Sequence, residues 1–325
     1  MQNTQLANLP SIAPFDSATD HPALAALWDV TLGDTYPLDA VTLANALANP
    51  ETGQRGRHFL ARIDNQLVGF IGTQINQVAP HPPSGFILCI VVHPAFQRRG
   101  IGSALLHTAT AYFREEGVTR VMSGGKYPRI FPGVPTDLPI AAAFFEKHGW
   151  LLNSVDADLG RDLHDFTIPL TIQARIESEG VSIAPGTAAD TDEVLELNYR
   201  HFAGWADTYK FVASLGDYQD FLVVRDPLKG VIGSLIMVGP GSHPRRADAP
   251  WKAIFGANIG GMGEVGIAPD ERKRGLGLAM VAVGAEVLCA RGVGYCHIGF
   301  TSLADFYGKL GWTAWREYRI GWKEI

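Results

Sequence analysis

The feature that most constrains the fold of this chain is an internal repetition. Gln97–Gly102 reads QRRGIG, and 175 residues later Arg272–Gly277 reads RKRGLG. Pro94 stands six residues before Gly100 and Pro269 six before Gly275, while Gly117 and Gly292 each follow the second loop glycine by 15. "SIAP" occurs at Ser11–Pro14 and again at Ser182–Pro185, each time ahead of an acidic helical pattern. Hairpin-like runs follow, FLARIDNQLVGFIGTQI and FLVVRDPLKGVIGSLIM, and both copies close on a short helical segment, FFEKHGW (Phe144–Trp150) and FYGKLGW (Phe306–Trp312). Self-similarity at fixed spacing means one structural unit used twice. The pattern predicts two α/β domains, residues 1–170 and 181–325, with the polar segment 171–180 as linker. At 325 residues the chain exceeds the size at which a single core usually keeps growing.

The copies differ in two Gly/Pro-rich loops. The first carries SGGKYPRIFPGVPTDLP (123–139), and the second GPGSHPRRADAPWKAIFGANIGG (239–261). Both fall where loops border a pocket.

Composition excludes some classes. Lysine and arginine total 27 against 33 acidic residues, net −6, with no basic tail or face. Neither nucleic acid nor an anionic membrane is an expected partner. The three cysteines, Cys89, Cys289 and Cys296, lie in apolar stretches without metal-site spacing, so the expectation is reduced thiols and no metal. The N-terminus lacks a cationic start and apolar run, and no 18-residue apolar stretch occurs, which points to a cytoplasmic protein.

The repeated loops carry the chemistry. A strand, a turn of exposed N–H groups, glycines that allow close approach and a helix N-terminus together make a phosphate cradle. Arg98, Arg99, Arg272, Lys273 and Arg274 add positive charge. Neither loop has the Lys-Ser/Thr of a P-loop. Gly261–Gly266 matches G-x-G-x-x-G, but its last glycine lies within the apolar run leading to Pro269 instead of opening a helix, so a dinucleotide site is not expected. Neither a G-x-S-x-G elbow nor an H-E-x-x-H helix occurs.

Strand, proline, [QR]-x-x-G-x-G, helix, strand and a closing FYGKLGW-like helix resemble the GNAT superfamily of acyl-CoA N-acyltransferases, twice over and across nearly the whole chain. The resemblance implies two tandem GNAT-type domains of the α/β (α+β) class, each a mixed, mostly antiparallel sheet flanked by helices. It implies acetyl-CoA as cofactor, its pyrophosphate held by Gln97, Arg98, Arg99, Gly100, Ile101, Gly102 and Ser103 in one copy. Arg272, Lys273, Arg274, Gly275, Leu276, Gly277 and Leu278 would hold it in the other. The pantetheine arm would pair with the backbone of Ile90, Val91 and Val92, and of Val265, Gly266 and Ile267.

By the same carry-over Tyr307 is the acid that protonates the departing thiolate, and Glu264 is the base for the amine. At the matching positions the first copy has Phe145 and Cys89, which points to a catalytic second half and a structural or silently binding first half. The acceptor implied is a small-molecule amine. Two alternatives remain, a non-catalytic acyl-CoA sensor and a first half active through substrate ionisation alone.

Overall fold

A computed structural model describes residues 10–48, 55–77, 82–126, 129–246 and 251–325. Residues 127–128 and 247–250 of the two distinguishing loops, and the first nine of the N-terminus, lie outside the described residues.

The first copy runs β1 (Ser11–Pro14), α1 (His21–Leu32), α2 (Ala40–Leu47), β2 (Phe59–Ile63), β3 (Gln66–Asn76), β4 (Ser84–Val92), α3 (Ile101–Glu115), β5 (Arg120–Ser123), β6 (Val134–Pro135), α4 (Pro139–Lys147) and β7 (Leu151–Asp162). Next comes α5 (Leu170–Glu179). The second copy runs β8 (Ser182–Pro185), α6 (Thr191–His201), α7 (Ala206–Ser214), β9 (Phe221–Asp226), β10 (Gly230–Val238), α8 (Lys252–Phe255), β11 (Ile259–Ile267), α9 (Leu276–Ala290), β12 (Tyr295–Thr301), α10 (Ala304–Gly308) and β13 (Thr313–Glu324). Apart from β6 and α8, which lie in the distinguishing loops, each element of one copy has a counterpart in the other.

The helices after the glycine loops show why the spacings repeat. Both span 15 residues. Leu105, Ala109 and Phe113 sit four residues apart on α3 and are fully buried, as are Val281, Ala285 and Leu288 on α9. Burying a leucine or phenylalanine side chain contributes about 1.5–3 kcal/mol, so these faces fix the helices on the sheet. Gly117 and Gly292 end them at φ 76° and 87°. Beyond each glycine the next amide bonds back into the helix, Val118 to Phe113 at 2.9 Å and Val293 to Leu288 at 3.0 Å. Only glycine adopts that left-handed turn without strain.

The two sheets are each mixed and mostly antiparallel, and they are joined. All main strands lie in one path, β1-β2-β3-β4-β5-β13-β7-β12-β11-β10-β9-β8. The last strand of each copy has crossed to the other. β7 pairs with β12 of the second copy, and β13 pairs with β5 of the first. The register keeps a pseudo-two-fold symmetry: Met122 faces Trp322 at one junction and His297 faces Gly160 at the other. Residues 122 and 297 are 175 apart, like the glycine loops, and 160 and 322 are 162 apart, like Phe145 and Tyr307.

The segment 171–180, read from sequence as a linker, lies almost wholly in α5. Its polar composition hides one apolar face, Ile172 and Ile176, four residues apart and packed on the second core. Gly180, at φ 63°, ends the helix. Among the described residues no helix is long and apolar enough to cross a membrane, and no group of three or more His, Cys, Asp or Glu is placed to hold a metal.

Candidate active site

Both glycine loops have one geometry. Arg98 and Lys273 take φ of 62° and 65°, and Gly100 and Gly275 take 83° and 81°. Gln97 Nε2 donates to the Val92 carbonyl at 3.0 Å, and Arg272 Nε donates to the Ile267 carbonyl at 3.2 Å. No side chain caps either helix start, which leaves the first-turn amides for an anion. The surroundings differ. Arg274 is drawn into ion pairs with Glu179 of α5, at 2.8 Å, and with Glu271. A Cβ at Gly275 would meet the Arg175 side chain at 3.4 Å, whereas one at Gly100 would meet nothing within 4 Å.

Beside each loop the sheet splays. The parallel pairing of β4 with β5 ends at Ile87↔Ser123, and that of β11 with β12 at Met262↔Ile298. Beyond those points Ile90, Val91 and Val92, and likewise Val265, Gly266 and Ile267, turn one backbone edge towards the opening. These positive-φ turns, uncapped helix starts and free strand edges suit an extended acyl-CoA, pyrophosphate at the loop and pantetheine along the strand. Gly261–Gly266 falls inside β11 and opens no helix.

The second splay opens into a cavity of about 260 Å³. Glu264 and Tyr307 both line it. Glu264 sits in a bulge, where Glu264 and Val265 oppose Leu235 alone between the pairs Ser234↔Gly266 and Ile236↔Gly263. Its φ is 53°, sparsely populated for a non-glycine residue and typical of bulges that re-aim a side chain. Thr208 of α7 donates to its Oε1 at 2.9 Å, and the Tyr209 hydroxyl donates to its carbonyl at 3.2 Å. Burial lowers the neighbouring Lys126, with Glu264 and Asp207 acting in opposition. Tyr307 is 6% exposed, and burial pushes its hydroxyl up to about 12.

Two polar residues that sequence reading missed share this wall, Asp158 of the exchanged strand β7 and His297 of β12. Asp158 Oδ2 lies 3.3 Å from His297 Nε2 and accepts from the Tyr318 hydroxyl at 2.8 Å, while Oδ1 accepts from the Phe300 amide at 2.9 Å. Burial alone would raise the Asp158 carboxyl, but His297, Tyr318 and the Phe300 amide hold it below the usual carboxylate range. Trp205 and Trp251 supply aromatic wall, and Arg129, from the loop peculiar to the first copy, reaches the same cavity. No motif marks these residues; their meeting depends on strand exchange.

The first cleft has apolar groups at the corresponding points, Ile320 coming from the exchanged strand β13. Cys89, Phe145, Met122 and Ile320 stand where Glu264, Tyr307, His297 and Asp158 stand. Phe145 packs edge-on against Trp150 at 5.3 Å. Cys89 is buried in a cluster with Leu88, Ile130, Phe131, Trp28 and Tyr36, and that burial pushes its thiol up to about 12. The three cysteines are free thiols.

A sequence profile of the Acetyltransferase (GNAT) family matches residues 23–150, within the first copy. A mycothiol acetyltransferase of Salinispora tropica is 30% identical over 336 residues, covering 98% of this chain and 96% of its own. The chain belongs to the GNAT acetyltransferase family. A solved structure described as a GCN5-related glucosamine N-acetyltransferase region in a fungal multi-domain GH3 β-N-acetylglucosaminidase is 35% identical, with a TM-score of 0.92 over 98% of this chain. This chain spans 38% of that fungal protein. A tandem GNAT protein from the clavulanic acid biosynthesis pathway, 16% identical, shares the fold with a TM-score of 0.67 over 97% of this chain and 98% of its own. This GNAT protein is therefore an acetyltransferase of tandem architecture, and its family uses acetyl-CoA.

Proposed function

We propose that this GNAT protein acetylates the amino group of an amino sugar, D-glucosamine in the simplest case, and does so in the second cleft. One observation carries the choice of cleft. At four matching positions the second cleft has Glu264, Tyr307, His297 and Asp158 around a cavity, and the first cleft has Cys89, Phe145, Met122 and Ile320. The acceptor class is supported by the fungal region similar over nearly the whole chain and described as a glucosamine N-acetyltransferase. A cavity of about 260 Å³, just under the roughly 300–1,000 Å³ of drug-sized sites, suits a monosaccharide.

When bound, acetyl-CoA supplies a thioester-activated acetyl group. The amides at Gly275–Leu278 and the edge of Val265–Ile267 hold and orient it, and the residues of the cavity do the proton work. An aliphatic amine is largely protonated at neutral pH and must lose that proton before it attacks. The Glu264 carboxylate, steadied by Thr208, takes it. As the new C–N bond formed and the C–S bond broke, the Tyr307 hydroxyl would deliver a proton to the departing sulfur, and the surplus proton of the acylated nitrogen would leave through solvent and restore the hydroxyl. Among the described residues that hydroxyl has no hydrogen-bond partner, so its proton is not committed elsewhere.

The first copy keeps the loop geometry without the polar residues, and we read it as a non-catalytic acyl-CoA site. The test is release of free CoA thiol from acetyl-CoA in the presence of D-glucosamine. Amine-dependent release with formation of N-acetylglucosamine supports the reading; none at millimolar amine overturns it.

A further inference from the structure

We propose that Asp158 and His297 form the acceptor-gripping pair of the second cleft, the imidazole accepting a hydrogen bond from a ring hydroxyl of the sugar. The first half of the chain thereby supplies part of the second half's site. The inference rests on the amino-sugar reading and adds to it the group that reads the sugar.

Asp158 and His297 are 3% and 5% exposed. A carboxylate buried that deeply is costly unless its lone pairs are satisfied, and three groups surround this one: the Tyr318 hydroxyl, the Phe300 amide and His297 Nε2. A neutral imidazole carries one donor and one acceptor nitrogen. His297 Nε2 lies 3.3 Å from Asp158 Oδ2, is buried and makes no hydrogen bond among the described residues. The ring therefore keeps its acceptor for a ligand, and His297 lines the cavity. A fixed acceptor in a cavity wall calls for a donor, and a sugar hydroxyl is one.

The fold does not require this pair. At the pseudo-symmetric junction the same two positions are Met122 and Ile320, and the strands pair in the same register. Two polar groups buried where the symmetric junction has an apolar pair point to a ligand. The opposite requirement of a sugar, a flat apolar surface for its C–H face, is met by Trp205. That ring lines the cavity and is backed by the stacked ring of Phe202, 4.7 Å away and 16° from parallel.

The test compares D-glucosamine with cyclohexylamine, a six-membered ring bearing an amine and no hydroxyl, at saturating acetyl-CoA. Wild type should prefer glucosamine. His297→Met, which installs the residue of the first copy, should lower kcat/KM for glucosamine by roughly 10–100-fold, chiefly through acceptor KM, the scale of one buried hydrogen bond. The cyclohexylamine value should change by less than about threefold on the same scale. Asp158→Asn, which removes the charge beside the ring, should give the same split. Retention of the acetyl-CoA-induced rise in melting temperature shows that each variant is folded. Equal losses for both amines, or no loss for glucosamine, would overturn the assignment. So would a wild type indifferent to the hydroxyls. If wild type acetylates neither amine, the amino-sugar reading fails and takes this assignment with it.

Discussion

Thr208 Oγ1 donates to Glu264 Oε1 at 2.9 Å, across the gap between α7 and the bulge of β11. The bond aims a carboxylate that the backbone already holds at φ 53°. Glu264→Gln keeps the size and an oxygen for Thr208 but cannot take a proton. Turnover is expected to fall by roughly 10²–10⁴-fold, the range of general base catalysis, with acetyl-CoA affinity unchanged. Steady-state kinetics check this, and a variant as active as wild type would remove Glu264 from the mechanism.

Tyr307→Phe gives the second cleft the residue of the first, and kcat is expected to fall by roughly 10²-fold. Burial pushes the Tyr307 hydroxyl up to about 12, so it keeps its proton throughout an ordinary assay range. The wild-type kcat profile should therefore show no alkaline limb below pH 10 that is missing from Tyr307→Phe. Such a limb would show that the hydroxyl ionises during turnover.

Asp158 sets a stability window. Its folded carboxyl lies below the usual range, while in the unfolded chain it titrates near 4. Its contribution is fully present above the unfolded value and is lost as pH falls through the lower folded value. Wild type should exceed Asp158→Asn in melting temperature near neutrality, with the gap closing below about pH 4. A gap that widens in acid would contradict the network around Asp158.

The sequence made legible what depends on local spacing. The glycine loops, the equal helices they start and the Tyr307/Phe145 contrast all rest on residues within one element or its neighbours. The path of β7 and β13 does not. Either strand would satisfy the same alternation whether it paired with its own copy or the other, and the choice is made by contacts far away in sequence. Asp158, His297 and Arg129 come together only through that choice, so no motif announced them. The helix Leu170–Glu179 is hidden for a different reason: its two isoleucines are too few to stand out against the charged residues around them.

Substitutions in the two glycine loops test which cleft works. Gly100 and Gly275 share a left-handed conformation, at 83° and 81°, and a side chain at either obstructs the approach of a phosphate to the backbone. Gly275→Val should abolish the acetyl-CoA-dependent chemistry. Gly100→Val should leave kcat within about threefold of wild type, because the cleft beside it has Cys89 and Phe145 in place of Glu264 and Tyr307.

In the proposed mechanism one cleft works and the other only resembles it. Its most direct test is free CoA thiol release with D-glucosamine in these two glycine variants, each shown by circular dichroism to be folded. The expected result is turnover in Gly100→Val and none in Gly275→Val. Turnover that survives Gly275→Val and disappears in Gly100→Val would place the chemistry in the first half and contradict the account.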